Sequence, residues 1–337
     1  MLDLFKGIGM VLIILCHCRN CGPVFAPLNH AVDMLSSGAV LFFLLCAGFG
    51  IGKTEPRKML KKSVREELLP YFFCGFCAAL IRFPVSLVAG NSVSLSFSSS
   101  LSVILSFLFG IMNNGSTFFG LASGVGPAWF FLALFWGMQM VGLIIRTGDL
   151  RKEIAIVLLL AVTGRILYHY SIPCLGLARG MESVLPVYAG YRIRKEHYPD
   201  RFALRPSRMI AVCVLLYGVT TLPAIRNAFW IIRGGAEYLF WSCLAFLMVT
   251  LSVKLCRWNG GAVTRGFRYI GRNSFLFLIV HAVEYECVPW YWPVRVMGLN
   301  DVPELGNMLC FLLRLACCAL AVRLLEKPFR HIVSGIR

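Results

Sequence analysis

Lys6 and His17, separated by ten residues, lie in one apolar run, Asp3-Leu4-Phe5-Lys6-Gly7 through Leu15-Cys16-His17-Cys18-Arg19. An ionisable side chain at the centre of a membrane span costs roughly 2.5 kcal/mol or more, so it marks a functional site by default. On a helix the two are about 16 Å apart along the axis and within roughly 20° of one face. A cation near one mouth suits a polyanionic ligand, and an imidazole deeper on the same face suits taking a proton from an attacking hydroxyl. The structural reading is that Lys6 snorkels to the interface while His17 hydrogen-bonds a neighbouring helix. Asp3, three residues before Lys6, is spaced to pair with it.

Three more groups carry comparable chemistry. The segment Arg57-Lys58-Met59-Leu60-Lys61-Lys62-Ser63-Val64-Arg65 leads directly into an apolar run, and Lys61 and Arg65 are one helical turn apart, a spacing that suits phosphates. Basic juxtamembrane segments also serve as topology signals and contacts for anionic lipid. His281 is followed three residues on by Glu284, which can orient or charge it; a polar bundle interior accounts for the pair equally well. Arg165 and His169 share a face of another apolar run, and together with Glu182 they are candidate substrate contacts.

Two other patterns fail on inspection. Gly50-Ile51-Gly52-Lys53-Thr54 imitates the end of a phosphate-binding loop, but Ala47 stands where the first glycine is required and an apolar helix precedes it instead of a strand. Cys16, His17, Cys18 and Cys21 are metal-ligand types, yet adjacent helical residues point about 100° apart and do not close a tetrahedral site. No metal is expected.

These residues must be positioned by membrane helices. Of the 337 residues, 58% are hydrophobic and 15% charged, more apolar surface than one soluble core buries; the mean hydropathy is +0.74. The net charge of +17 falls in short clusters between apolar runs, which is topology information and not a nucleic-acid footprint. The fourteen cysteines lie mostly within apolar runs, so no disulfide framework is expected. The start lacks a cationic lead and a small-residue cleavage site, so the first run is expected to stay as an anchor.

The pattern predicts an all-α bundle of about ten spans, near 4–20, 32–52, 68–89, 128–146, 153–170, 179–192, 209–226, 237–256, 272–291 and 306–325. With ten spans, the basic loops Lys53 to Arg65, Arg146 to Lys152, Arg192 to Arg208 and Lys254 to Arg272 fall on one side together with the tail. The positive-inside rule makes that side cytoplasmic, with both termini inside. Residues 90–127, rich in Ser and Gly, read as an external loop whose apolar 101–112 is re-entrant or surface-lying. Loops this short leave no room for a separate soluble domain, so 1–337 reads as one membrane domain.

Together these residues resemble the bacterial membrane acyltransferase-3 family, which O-acetylates sugars and related acceptors and includes fucose-acetylase-like members. The resemblance is carried by Asp3-x-x-Lys6 with ten residues to His17, by Phe42-Phe43-Leu44-Leu45-Cys46-Ala47-Gly48-Phe49, and by the basic lead into Leu69-Pro70-Tyr71. Trp129-Phe130-Phe131-Leu132 and Gly271-x-x-Ser274 before His281 complete it. Cys46 departs from the small serine usual in the second-span motif. The resemblance implies a multi-pass protein of the bacterial cytoplasmic membrane, moving an acetyl group from cytoplasmic acetyl-CoA to a sugar or glycan hydroxyl. Lys6, Lys61 and Arg65 would then hold the CoA phosphates, His17 would act as general base or transient acyl carrier, and His281 with Glu284 would assist. A transporter of a small solute or lipid-linked sugar is the alternative, although no repeat halves are visible.

Overall fold

The computed structural model describes residues 2–18, 26–52, 55–111, 124–170, 175–196, 206–255, 258, 260–299 and 302–335. Cys21, Lys53, and the 112–123 and 197–205 parts of two expected loops lie outside the described residues. Every regular element among the described residues is helical, as lipid demands of a chain that must satisfy its own backbone. In chain order the helices are α1 Asp3–Cys16, α2 Ala26–Gly48, α3 Pro56–Ser63, α4 Leu69–Val88, α5 Val93–Phe109, α6 Trp129–Ile144, α7 Leu150–His169 and α8 Leu177–Lys195. They continue with α9 Pro206–Thr221, α10 Pro223–Arg226, α11 Trp230–Lys254, α12 Gly261–Arg272, α13 Ser274–Cys287, α14 Tyr291–Val296 and α15 Pro303–Gly335.

Among the described residues five stretches are long and apolar enough to cross a membrane: Leu28–Gly48, Pro56–Val88, Gly126–Ile144, Ile232–Lys254 and Glu304–Pro328. Val93–Phe109 and Pro206–Thr221 are apolar but shorter. The protein is an all-α membrane protein. Its chain forms two compact units, the first made of Met1–Cys46, Ile193–Phe277 and Trp290–Arg337, the second of Ala47–Arg192 and Leu278–Pro289.

In the first unit α1 and α2 are antiparallel: Gly9 lies against Ala39 and Phe43, and the Cys16 thiol faces Asp33 Oδ1 at 3.5 Å. α11 runs parallel to α2, with Trp241 Nε1 donating to Met34 Sδ and Gly38 packed on Leu244. α9 is antiparallel to α11, since Tyr217 meets Phe240 while Met209 meets Thr250. One end of this unit therefore gathers the C-terminal end of α1, the N-terminal end of α2, and the chain from the end of α9 into α11.

α12 lies antiparallel on α1 at backbone contact distance. A Cβ on Gly7 would fall 1.9 Å from Phe267 O, and one on Gly271 1.7 Å from Asp3 O, so only glycine fits at either point. This is the small-residue packing expected where lipid supplies no drive for helices to associate.

In the second unit α4 and α5 form an antiparallel hairpin. Gly90 turns the chain with φ 87°, and Ser92 caps α5 by accepting from Leu95 N at 3.2 Å. Tyr71 Oη donates to Phe107 O at 2.8 Å, Arg82 Nε to Ser99 Oγ at 2.8 Å and Ser96 Oγ to Ser86 Oγ at 2.9 Å. α5 corrects the reading of the serine-rich stretch before residue 101 as loop, since regular helix runs from Val93 through Phe109. Its serines suggested irregular chain, whereas in a membrane protein serine at helical spacing marks the face where helices meet. α8 packs on α6 through Ser183 Oγ and Ala133 O, 2.9 Å, and on α7 through Tyr188 Oη and Glu153 Oε2, 2.6 Å.

Candidate functional site

α1 carries Lys6 near one end and His17 at the other. His17 is the residue that closes α1, with φ −79° and ψ −5°. Its Nδ1 lies 2.8 Å from Ile13 O. A carbonyl only accepts, so Nδ1 carries the hydrogen and the lone pair of the neutral ring resides on Nε2. That is the tautomer a general base needs.

The last carbonyls of a helix have no partner in the helix itself. For His17 that partner is Arg314, whose Nη1 donates to His17 O at 2.7 Å. Arg314 is only 2% exposed, the largest fully buried side chain among the described residues, and its guanidinium lies 5.7 Å from the centre of the Trp290 ring. Arg314 stands outside the set predicted from sequence, although its signal was present. It is the one charged residue between Glu304 and Arg323, in the most apolar of the five spanning stretches. Along α15, Asn307, Cys310, Arg314, Cys318 and Val322 form a buried stripe while Leu312, Leu320 and Leu324 are exposed.

Lys6 is half-buried, and its ammonium has no ion-pair partner among the described residues. The expected Asp3–Lys6 pair is not what forms: Asp3 Oδ2 lies 3.4 Å from Arg272 Nε. The glycine contact between α1 and α12 brings Arg272 to Asp3, and Lys6 lies near the Cys46 thiol.

In the second unit, Lys61 is exposed at the end of α3 and Arg65 is half-buried in a wide π-helical turn, Val64–Leu68. That turn starts between them, so the one-turn spacing of an ideal α-helix is loosened there; such turns occur often at functional sites. The turn buries Glu67, whose Oε2 has no partner among the described residues.

His281 and Glu284 meet as the sequence spacing predicts, Nδ1 to Oε1 at 2.6 Å, with His281 0% and Glu284 5% exposed. α13 is held beside α4 by Cys287 Sγ donating to Ala78 O at 3.2 Å and by Arg82 donating to Glu286 O. Arg165 and Glu182 also meet, Nη1 to Oε1 at 3.1 Å. Glu182 holds a second cation that sequence reasoning missed: Arg179 Nη1 lies 2.8 Å from Oε2, its guanidinium stacked 3.5 Å over Tyr168 and 5.1 Å from Trp129. His169 lies at the exposed end of α7, its ring edge-on to Tyr170.

A family model described as an acyltransferase domain, that of the acyltransferase-3 type, matches residues 1–323. Neither a curated protein nor a solved structure matches the chain.

Proposed function

The chain belongs to the acyltransferase-3 family of membrane acyltransferases, and on that premise we propose that it moves an acetyl or other short acyl group from cytoplasmic acetyl-CoA to a hydroxyl of a sugar or surface glycan. The observation that carries this reading is the state of His17, with Nδ1 committed to Ile13 O and its own carbonyl held by Arg314. A fixed ring with its lone pair on Nε2 is prepared to accept one proton.

In the direct route, His17 Nε2 takes the acceptor hydroxyl proton while the oxygen attacks the thioester carbonyl. The carbon–sulfur bond breaks, and the CoA thiolate leaves with the proton returned by the imidazolium. In the acyl-carrier variant Nε2 itself attacks the thioester and the carbon–sulfur bond breaks, expelling CoA as its thiolate; the acceptor oxygen then takes the acyl group as the carbon–nitrogen bond breaks, and its proton neutralises the thiolate. A positioned base contributes roughly 10² to 10⁴ in rate. Lys6, Lys61 and Arg65 serve the phosphates of CoA, for which an ammonium without an ion-pair partner at Lys6 is well suited. The buried His281–Glu284 pair is a second polarised imidazole that assists. Arg165, Glu182 and His169 serve the acceptor.

The bacterial cytoplasmic membrane is what the family resemblance implies as its location, and the clustering of basic residues on one side of the expected spans supports an orientation with the donor inside and both termini cytoplasmic. The test is release of CoA from acetyl-CoA by the purified protein, with and without glycan acceptors. His17→Ala should abolish release while the protein stays folded; an active His17→Ala protein overturns the assignment, and a carrier would release no CoA at all.

A further inference from the structure

The end of the first unit that receives His17 also contains a cavity of about 370 Å³ lined by His30, Thr220, Arg226, Asn227, Arg233 and Glu237. This volume falls in the lower range of small-molecule sites. Its level relative to His17 can be read from α2. Asp33 faces Cys16, the neighbour of His17, and His30 lies three residues nearer the end of α2, about 4.5 Å further along the axis.

The lining is mixed in a specific way. Thr220 donates to Tyr217 O at 2.7 Å, so in its 3.5 Å contact with His30 Nε2 the ring is the donor. His30 Nδ1 is then an acceptor in the neutral ring. Asn227 supplies both a donor and acceptors, and Glu237 supplies acceptors. Such a set matches the hydroxyls of a sugar. One cation is left over: Arg233 is drawn to Glu237 at 3.9 Å, whereas Arg226 has no ion-pair partner among the described residues. A guanidinium presents a planar fork of donors that fits a carboxylate or phosphate in two-point fashion. The Glu237 carboxylate in the same lining disfavours a plain anionic headgroup and favours a ligand that is both hydroxylated and anionic.

We propose that this cavity is the acceptor subsite for a sugar bearing a carboxylate or phosphate, with Arg226 as its anion anchor. The assignment rests on the reading of the protein as a glycan acyltransferase, and it names the class of acceptor that reading leaves open.

The experiment is equilibrium binding of glucuronic acid, glucose 1-phosphate and glucose to the whole protein in nanodiscs of zwitterionic lipid. At least one charged sugar should bind roughly tenfold or more tightly than glucose, the scale of one charge-assisted contact. Arg226→Ala should erase that preference, Arg226→Lys should keep part of it, and both should melt with wild type because Arg226 is exposed. The subsite is overturned if all three sugars bind equally, if none binds, or if the preference survives Arg226→Ala. It is also overturned if anionic lipid in the nanodisc abolishes the preference, which would make Arg226 a headgroup contact. Failure of the His17 reading shows separately, as CoA release by His17→Ala.

Discussion

Arg314 Nη1 donates to the carbonyl oxygen of His17 at 2.7 Å, joining residues 297 positions apart in the chain. The bond ends α1 at a buried charge, so the backbone that carries the candidate base is held from α15 as well as from its own helix. The two contacts act on different parts of the residue: the Ile13 carbonyl engages Nδ1 of the ring, and Arg314 holds the backbone at the end of α1.

Arg314→Leu should therefore lower the rate of CoA release by roughly 10- to 100-fold, the scale of a catalytic group misplaced by about an ångström. It should also cost about 1–3 kcal/mol in stability, because a carbonyl loses its charged donor. Arg314→Lys keeps a cation without the planar fork and should fall between the two. Turnover and melting temperature, measured on the same preparations, check both effects; wild-type turnover in Arg314→Leu would show that the bond does not position His17.

The His281–Glu284 pair separates charge from shape. Glu284→Gln preserves the side-chain volume and an acceptor oxygen, so the protein should melt near wild type while CoA release falls. Glu284→Ala leaves the buried His281 Nδ1 hydrogen without its acceptor and should cost a further 1–3 kcal/mol or so. Unchanged release in Glu284→Gln would assign the pair to structure alone.

The pairs within one helix or between close spacings were legible in the sequence. Lys6 and His17 lie on α1, and His281 reaches Glu284, because helical periodicity fixes those distances locally. Arg165 with Glu182 also meets as a candidate pair, although residue types alone did not say that Arg179 would share the carboxylate. What the sequence hid depends on which helices become neighbours. Asp3 chose Arg272 over Lys6 because two glycines, Gly7 and Gly271, let α12 come close enough. The α5 serines looked like loop because polarity was weighed without the partner helix α4 that takes up their hydroxyls. Arg314 was visible as a cation in an apolar run, but its partner was a backbone carbonyl, which no residue type advertises.

Lys6, Lys61 and Arg65 make a prediction about the donor alone. If they hold phosphates, alanine at any one should raise the KM for acetyl-CoA roughly tenfold or more, with a smaller change in kcat. Repeating the measurement with acetyl-dephospho-CoA, which lacks the 3′-phosphate, tells which cation serves that group. For that residue the alanine penalty should largely disappear, whereas the other two should keep theirs. A penalty unchanged at all three would remove the 3′-phosphate from their targets.

Two glycines on one short helix should respond to alanine in opposite directions. Gly266 and Gly271 are both in α12, and intrinsic helix propensity favours alanine over glycine by about 1 kcal/mol at either. Around Gly266 a Cβ meets nothing within 4 Å, so Gly266→Ala should stabilise the protein by up to that amount. At Gly271 the same atom would lie 1.7 Å from Asp3 O and 2.9 Å from Gly7 N, both backbone atoms of α1 that cannot turn aside. The helices must then separate, and overpacking of this kind typically costs 1–3 kcal/mol or so. Separation also pulls Arg272 from Asp3 and shifts the helix that carries Lys6, so Gly271→Ala should raise the KM for acetyl-CoA as well as lower the melting temperature. Thermal melts of the two variants in detergent decide it. Equal shifts in the same direction would mean that α12 does not rest on α1 through Gly271, and the position of Lys6 would then need another support.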